Sequence, residues 1–308
     1  MNTAQLRQQL TDSESNEQWV DLLAQFFAAY DLFYGHGTDN AVDEAYWLLR
    51  HLQQWNDTAW KAPADPVLAE RVATLAQQRV VQRKPLAYLL NEAWFAGLKF
   101  FVDERVLVPR SPFAEIIQAQ FAPWVSLNPG DRALEIGTGS GCIAIASACY
   151  CPDVIVDATD ISAGALQVAA INVRAHGVTD RVNLLQVDLF PSDTQRYRVI
   201  MSNPPYVPER DYAALPAEYR HEPRMGLVGG PSGLAPAWRL LAQAGRHLTA
   251  DGVVIVEVGN EAQQLADAVP GLELTWIEFE HGGEGVFVLT AAQLEDYLRH
   301  ATLPQSDE

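Results

Sequence analysis

Asn203-Pro204-Pro205-Tyr206 is a segment whose residue types suit a chemical task. The side-chain carbonyl of Asn203 and the backbone carbonyl of Pro204 can each accept a hydrogen bond from a planar NH2 group. Two acceptors fix the orientation of such a group, the prolines stiffen the loop, and Tyr206 offers an aromatic face to a flat amide or base. Aligning a poor amide nucleophile with its electrophile can lower a barrier by several kcal/mol, up to about 7 to 11 in the best intramolecular cases. Asn203, Pro204 and Tyr206 are therefore the candidate catalytic residues, and Pro205 completes the acceptor-binding segment. Asn-Pro and Pro-Pro pairs also punctuate ordinary turns, so the choice depends on what stands beside them.

What stands beside them is Glu135-Ile136-Gly137-Thr138-Gly139-Ser140-Gly141, at the junction of an apolar strand pattern and a helical one. Gly137, Thr138, Gly139 and Gly141 form a loop whose backbone a ligand can approach closely. Dinucleotide enzymes also use a glycine-rich turn here, but their spacing wants glycine where Cys142 stands. Glu135 would repel a pyrophosphate and attract a cation. S-adenosylmethionine carries a sulfonium and an amino group and no phosphate, so Glu135 fits it directly or through water. Asp160 ends the next strand, where it can accept from ribose hydroxyls. Asp188 ends the third and is expected at the adenine, with Leu189 or Phe190 packing against it. Asn203 is expected to border this cofactor as well as the acceptor. The methyl donor is already activated, so no histidine or lysine base is required.

These residues need a sheet to hold them. Strand patterns at Arg132–Ile136, Val154–Thr159, Val182–Val187, Val199–Ser202 and Val253–Val258 alternate with helical ones at Cys142–Cys149, Ala163–His176 and Pro236–Leu248. This alternation predicts an α/β, doubly wound parallel sheet. Leu272–Phe279 and Val286–Leu289 are too close for a crossover helix between them, so they are expected to be antiparallel neighbours, making seven strands with one reversed near the C-terminus. Upstream, apolar residues at helical spacing predict a helix over Asn16–Gly37, a second capped at Thr38-Asp39-Asn40, a third over Pro66–Gln82 and a short fourth opened by Pro85. The period changes between Glu92 and Pro109 to a β-hairpin, extended by Val106-Leu107-Val108. Ser111-Pro112 then predicts a helix to about Trp124. The expected division is a helical domain over 1–91, a hairpin linker over 92–109 and a catalytic domain over 110–308.

Formal net charge is −18, spread along the chain. Neither part offers the basic face a free nucleic-acid binder needs, whereas an acidic surface can steer a basic protein substrate. Cys142, Cys149 and Cys151 are odd in number and clustered, which suits reduced thiols buried on one helix. Neither they nor His221-Glu222 have metal-ligand spacing, so no metal site is expected. No run of about 18 apolar residues predicts a membrane span, and the polar start is not a secretory signal, so a cytoplasmic protein is expected.

The loop from Glu135 to Gly141, together with Asn203-Pro204-Pro205-Tyr206, resembles the protein-glutamine methyltransferases, which share this tetrapeptide with amino-methylating DNA methyltransferases. Four further segments resemble the branch acting on large-subunit ribosomal protein three: Tyr34-Gly35-His36-Gly37-Thr38-Asp39-Asn40, Leu107–Phe113, Glu218-Tyr219-Arg220-His221-Glu222-Pro223 and Gly282–Phe287. The resemblance runs from about Trp19 to Leu294. It implies a class I, Rossmann-like methyltransferase fold with a helical domain that docks the protein substrate. It also implies cofactor binding by the glycine loop and Asp160, a glutamine held at Asn203–Tyr206, and RNA contact only through ribosomal precursors. Arg110 and the Glu218–Pro223 stretch could reach the substrate or form structural salt bridges. A release-factor glutamine methyltransferase is the nearest alternative; a DNA adenine methyltransferase shares both main motifs but would need a basic groove.

Overall fold

The computed structural model describes residues 1–55, 59–191 and 195–304. The expected C-terminal limit at residue 308 lies outside them. The chain divides into two units: Met1–Ala93 with Val102–Glu104 and Pro216–His221, and Trp94–Phe101 with Arg105–Leu215 and Glu222–Glu308.

Unit 1 is helical: α1 Thr3–Asp12, α2 Asn16–Ala28, α3 Ala41–Gln53, α4 Ala69–Gln82 and α5 Leu86–Leu90. The sequence reading passes over α1, whose polar face hides two buried leucines, Leu6 and Leu10, behind a capping box of Asn2 and Gln5. Asn40 caps α3 by accepting from the Val42 and Asp43 amides. α2 stops at Ala28, short of the expected Gly37. Side chains claim the backbone there: the Phe33 amide donates to Glu218 Oε1 at 3.1 Å, and its carbonyl accepts from Arg79 at 2.8 Å. A buried cluster explains that capture. Arg79 donates to Glu44 and, at 3.0 Å, to Glu218, while Arg83 grips both Glu218 oxygens at 2.7 and 3.0 Å. Tyr219 packs on His36 and Phe33 with ring centroids 4.7 and 5.4 Å apart. Two of the segments that carry the family resemblance thus meet inside unit 1.

In unit 2, β1 Ala93–Phe95 and β2 Leu98–Phe100 form the hairpin, joined to the unit from Trp94 onward. Val106–Val108 does not extend it: the Val108 amide donates to Glu222 Oε1 at 2.9 Å and its carbonyl accepts from Arg110 at 3.1 Å, so the Val108 backbone is held by side chains rather than by a neighbouring strand. α6, Phe113–Gln118, ends six residues before Trp124 because Gln120 and Phe121 turn left-handed, at φ 53° and 66°, and swing Phe121 into the core. β3 Arg132–Ile136, α7 Cys142–Tyr150, β4 Ile155–Asp160, α8 Ala163–Ala175, β5 Val182–Gln186 and β6 Tyr197–Ser202 follow. Short helices α9 Glu209–Tyr212 and α10 Arg224–Leu227 precede α11 Ala235–Ala244, β7 Leu248–Glu257, α12 Ala262–Ala268, β8 Thr275–Trp276, β9 Val286–Thr290 and α13 Ala291–His300.

The seven strands lie in the order β5-β4-β3-β6-β7-β9-β8, parallel except for β9, which is antiparallel to both neighbours. The α/β sheet with a reversed last strand is the expected class I arrangement, although β8 is only two residues long. Alternate residues feed two cores. Ala133, Val156, Val199 and Val253 join one, and Leu134, Ile136, Ile200 and Val254 the other, as a sheet covered on both faces requires. Cys142 and Cys151 are buried but Cys149 is exposed near the end of α7, which corrects the expectation that all three are buried; all are free thiols. No helix among the described residues is long and apolar enough to cross a membrane.

Candidate active site

The order of the strands creates the site. The chain winds outward from β3 in both directions, and the carboxyl ends of β3 and β6, at this reversal, are where an open α/β sheet leaves a crevice. Register then sets a row. Ile136 pairs with Thr159 on one side and Ser202 on the other, and Ser202 pairs with Val256. The next residue on each strand is Asp160, Gly137, Asn203 or Glu257. Ser202 ties the centre of the row by donating its hydroxyl to the Ile136 carbonyl at 2.8 Å.

Gly137 and Gly139 adopt φ of 75° and 55°, where other residues are strained, and a Cβ on either would meet no atom within 4 Å. The loop is therefore glycine for its backbone path, and its outer side is open to a ligand. It is held from below. The Gly137 and Thr138 amides donate to the Thr159 carbonyl, each at 2.9 Å. Asp160 accepts the Gly139 amide at 2.9 Å and the Ser162 amide at 2.8 Å, one on each oxygen. A carboxylate has about four acceptor positions, so Asp160 keeps capacity for hydroxyl donors. Its burial raises its pKa, against those amide bonds.

Glu135 is 2% exposed. Its Oε2 accepts from the Thr138 hydroxyl at 2.5 Å and from the Ala144 amide, in the first turn of α7, at 2.9 Å. Burial pushes the carboxyl up to about 8, opposed by these two bonds and assisted by the charge of Asp160. Glu135 therefore braces the loop from beneath with a carboxyl that burial holds largely protonated near neutral pH. The Cys142 thiol beside it is raised to about 12, first by burial and then by Glu135.

Asp188 lies two residues beyond β5 and pairs with Arg239 at 2.5 Å, both side chains about half exposed at 49% and 47%. Phe190 is buried and stacked on His247, centroids 4.5 Å apart, so it is not free to pack on a ligand as expected. The Leu189 carbonyl accepts from Thr159 at 2.8 Å. The exposed apolar side chain on this edge is Ile161, 55% exposed directly after Asp160, a residue the sequence reading passes over.

Asn203 and Pro205 are partly buried and Pro204 buried, as the chain leaves β6. Val207 pins its exit through a bridge to Val228, with bonds of 2.8 and 3.0 Å. The Tyr206 hydroxyl donates to Glu257 Oε1 at 3.2 Å, and the ring lies so close to Gly259 that a Cβ there would stand 2.7 Å from it. The other Glu257 oxygen accepts from Ser111 at 2.5 Å. Burial pushes Glu257 up to about 7, opposed by Ser111, Tyr206 and the charge of Arg110. Sequence reasoning misses Glu257 because it closes a β-branched run; a lone carboxyl in such a run is the available signal. Arg110 and Glu222 pair bidentately at 2.6 and 2.8 Å, so those charges are structural partners. Among the described residues no group of three or more potential ligands could hold a metal.

The family model of the methyltransferase small domain matches residues 120–217. A ribosomal protein uL3 glutamine methyltransferase of Bordetella pertussis is 45% identical over 267 residues, covering 84% of this chain and 89% of that protein. Proteins of the same name from Xylella fastidiosa and Francisella tularensis are 42% and 39% identical, covering 89% and 87% of this chain and 90% and 88% of their own.

Proposed function

This chain belongs to the family of ribosomal protein uL3 glutamine methyltransferases, and from that premise we propose that it moves the methyl group of S-adenosylmethionine onto the side-chain amide nitrogen of a glutamine in uL3. The observation that carries this reading is the register Ile136 to Ser202, which starts an open glycine loop and the Asn203 segment side by side. The open loop over Gly137 and Gly139, with carboxyls at Glu135 and Asp160, fits a cationic nucleoside without phosphate. Bound there, the cofactor supplies a methyl group whose sulfonium leaves as a neutral thioether.

The protein's part is orientation. Asn203 Oδ1 and the Pro204 carbonyl accept the two amide hydrogens and turn the nitrogen toward the methyl group. As the new N–C bond forms, one N–H proton passes to water or to a carbonyl. The Tyr206 ring packs against the amide plane. Asp160 meets the ribose hydroxyls, and Ile161 takes the adenine-packing role expected of Leu189 or Phe190. Thr138 and Glu135 keep the loop in shape. Unit 1 docks uL3, a basic protein drawn by the −18 charge, and the reaction belongs to the cytoplasm.

Purified protein with labelled S-adenosylmethionine should methylate uL3 on glutamine and leave naked DNA unlabelled. Asn203→Ala should keep cofactor affinity while transfer falls by about 10²-fold or more, the scale for losing one preorganised hydrogen-bonding group. Labelling of release factor alone would overturn the substrate and spare the chemistry; full turnover by Asn203→Ala would remove Asn203 from the mechanism.

A further inference from the structure

The row of strand ends finishes at Glu257, one residue past the Val256 that pairs with Ser202, so Glu257 stands beside Asn203 in register. It is 5% exposed, and a carboxyl in such a place is costly compared with an apolar side chain of the same size. Two hydroxyl donors offset that cost. One oxygen takes the Tyr206 hydroxyl at 3.2 Å and the other the Ser111 hydroxyl at 2.5 Å. Ser111 Oγ in turn accepts the Phe113 amide at 3.2 Å, which roots the chain of bonds in the first turn of α6. On its other side the Tyr206 ring is backed by Gly259, where no side chain would fit. The ring is thus held at its hydroxyl by Glu257 and at its edge by backbone.

We propose that Glu257 is a positioning residue for methyl transfer, fixing the Tyr206 ring through its hydroxyl so that the acceptor amide meets one prepared face. This rests on the reading that Asn203–Tyr206 holds the acceptor. The groups facing Glu257 are Ser111 and Arg110 from the segment before α6, Tyr206 from the loop after β6, and the uncharged Val286 of β9. Arg110 acts by charge while its guanidinium is engaged with Glu222. A site of this kind orients without touching substrate, and its loss appears in turnover before it appears in binding.

The test is a double-mutant cycle on the full chain with Tyr206→Phe and Glu257→Leu, reading kcat, KM for uL3 and the cofactor dissociation constant separately. Each single change should lower kcat about 10-fold, and the double change should lower it no further, because both break one bond. Cofactor affinity should stay within about 2-fold, and Glu257→Gln, which can still accept from Tyr206, should recover most of kcat. Multiplying effects of about 100-fold in the double variant, or changes in KM with kcat intact, would overturn the proposal. If Glu257→Leu does not fold, Ser111→Ala replaces it in the same cycle. Ring-flip rates of labelled Tyr206 by NMR give a readout independent of turnover: slow in the wild type and fast in Glu257→Leu or Ser111→Ala, with equal rates counting against the proposal. A wild-type protein that does not methylate uL3 would instead sink the functional reading, and the ring-flip comparison would still decide the role of Glu257.

Discussion

Glu218 in unit 1 and Glu135 in unit 2 are both withdrawn from water, at 0% and 2% exposure, yet their carboxyls are driven in opposite directions. Burial alone would raise Glu218, but hydrogen bonds from Arg83, Arg79 and the Phe33 amide hold it at about 2. Burial does raise Glu135, to about 8, because its hydrogen-bond partners are a hydroxyl and a backbone amide rather than guanidinium groups. Glu44, which shares Arg79, is pushed up by burial against that arginine's attraction, so the cluster favours Glu218. The contrast separates two uses of a buried charge. Unit 1 neutralises its carboxylate internally to join distant segments, whereas unit 2 leaves a carboxyl that burial keeps largely protonated beneath an open loop, where a cationic ligand would draw it toward ionisation.

Removing each carboxylate should therefore have different consequences. Glu218→Ala removes the carboxylate that Arg79, whose side chain is 2% exposed, shares with Arg83 and leaves Glu44 as the carboxylate partner of Arg79; taking one member out of a buried ion-pair cluster in this way costs about 3 to 5 kcal/mol. Hydrogen exchange should show the loss in α4 amides while those of β6 and β7 keep their protection; a loss under about 1 kcal/mol would mean the cluster does not hold unit 1 together. Glu135→Gln keeps the shape and acceptors but not the charge. Its stability at pH 4, where the wild-type carboxyl is largely protonated both folded and unfolded, should stay within about 1 kcal/mol of wild type, while affinity for S-adenosylmethionine, measured by calorimetry at pH 8, where the wild-type carboxyl can ionise, should fall about 10-fold, the scale of one charge acting across a few ångströms of protein. A large destabilisation with unchanged affinity would erase the distinction between the units.

Much of the sheet was legible because strands buried on both faces carry β-branched runs and end on glycine, aspartate or asparagine. The elements that were not legible share a cause. Phe33 and Val108 sit in patterns that predict helix and strand, but Glu218 and Glu222, 185 and 114 residues further along, capture their backbone groups. Local periodicity contains no signal for a partner so distant. Gly137, Asp160 and Asn203, the candidate site residues, stand in one row because strand ends in adjacent register bring them together, which a strand-end pattern in the sequence can signal. Asp188 is spaced like another member of it, yet β5 stops at Gln186 and Arg239 takes the carboxylate. The roles proposed for Ile161 and Glu257 carry little signal in the sequence for complementary reasons: an isolated isoleucine reads as core, and a carboxyl closing an apolar strand reads as its end.

The smallest effect, and the finest test of the contrast, lies in the pH dependence of stability. Glu218 is lowered from 4.5 to about 2, so its contribution is present above pH 4.5 and lost as pH falls toward 2. Glu135 and Glu257 are raised from 4.5 to about 8 and about 7, so theirs is complete below pH 4.5 and lost as pH rises through those values. Each such proton changes stability by at most about 1.4 kcal/mol per pH unit. Urea midpoints from pH 3 to 8 should then respond selectively. Glu257→Gln should flatten the decline between pH 5 and 7 and leave the acid limb alone, because the glutamine carries no proton to release. Glu218→Gln should flatten the acid limb instead, because only the unit 1 carboxylate gains its stability by staying ionised. A Glu257→Gln protein that keeps the wild-type slope between pH 5 and 7 would show that Glu257 titrates alike folded and unfolded, and that burial beside Tyr206 does not set its charge.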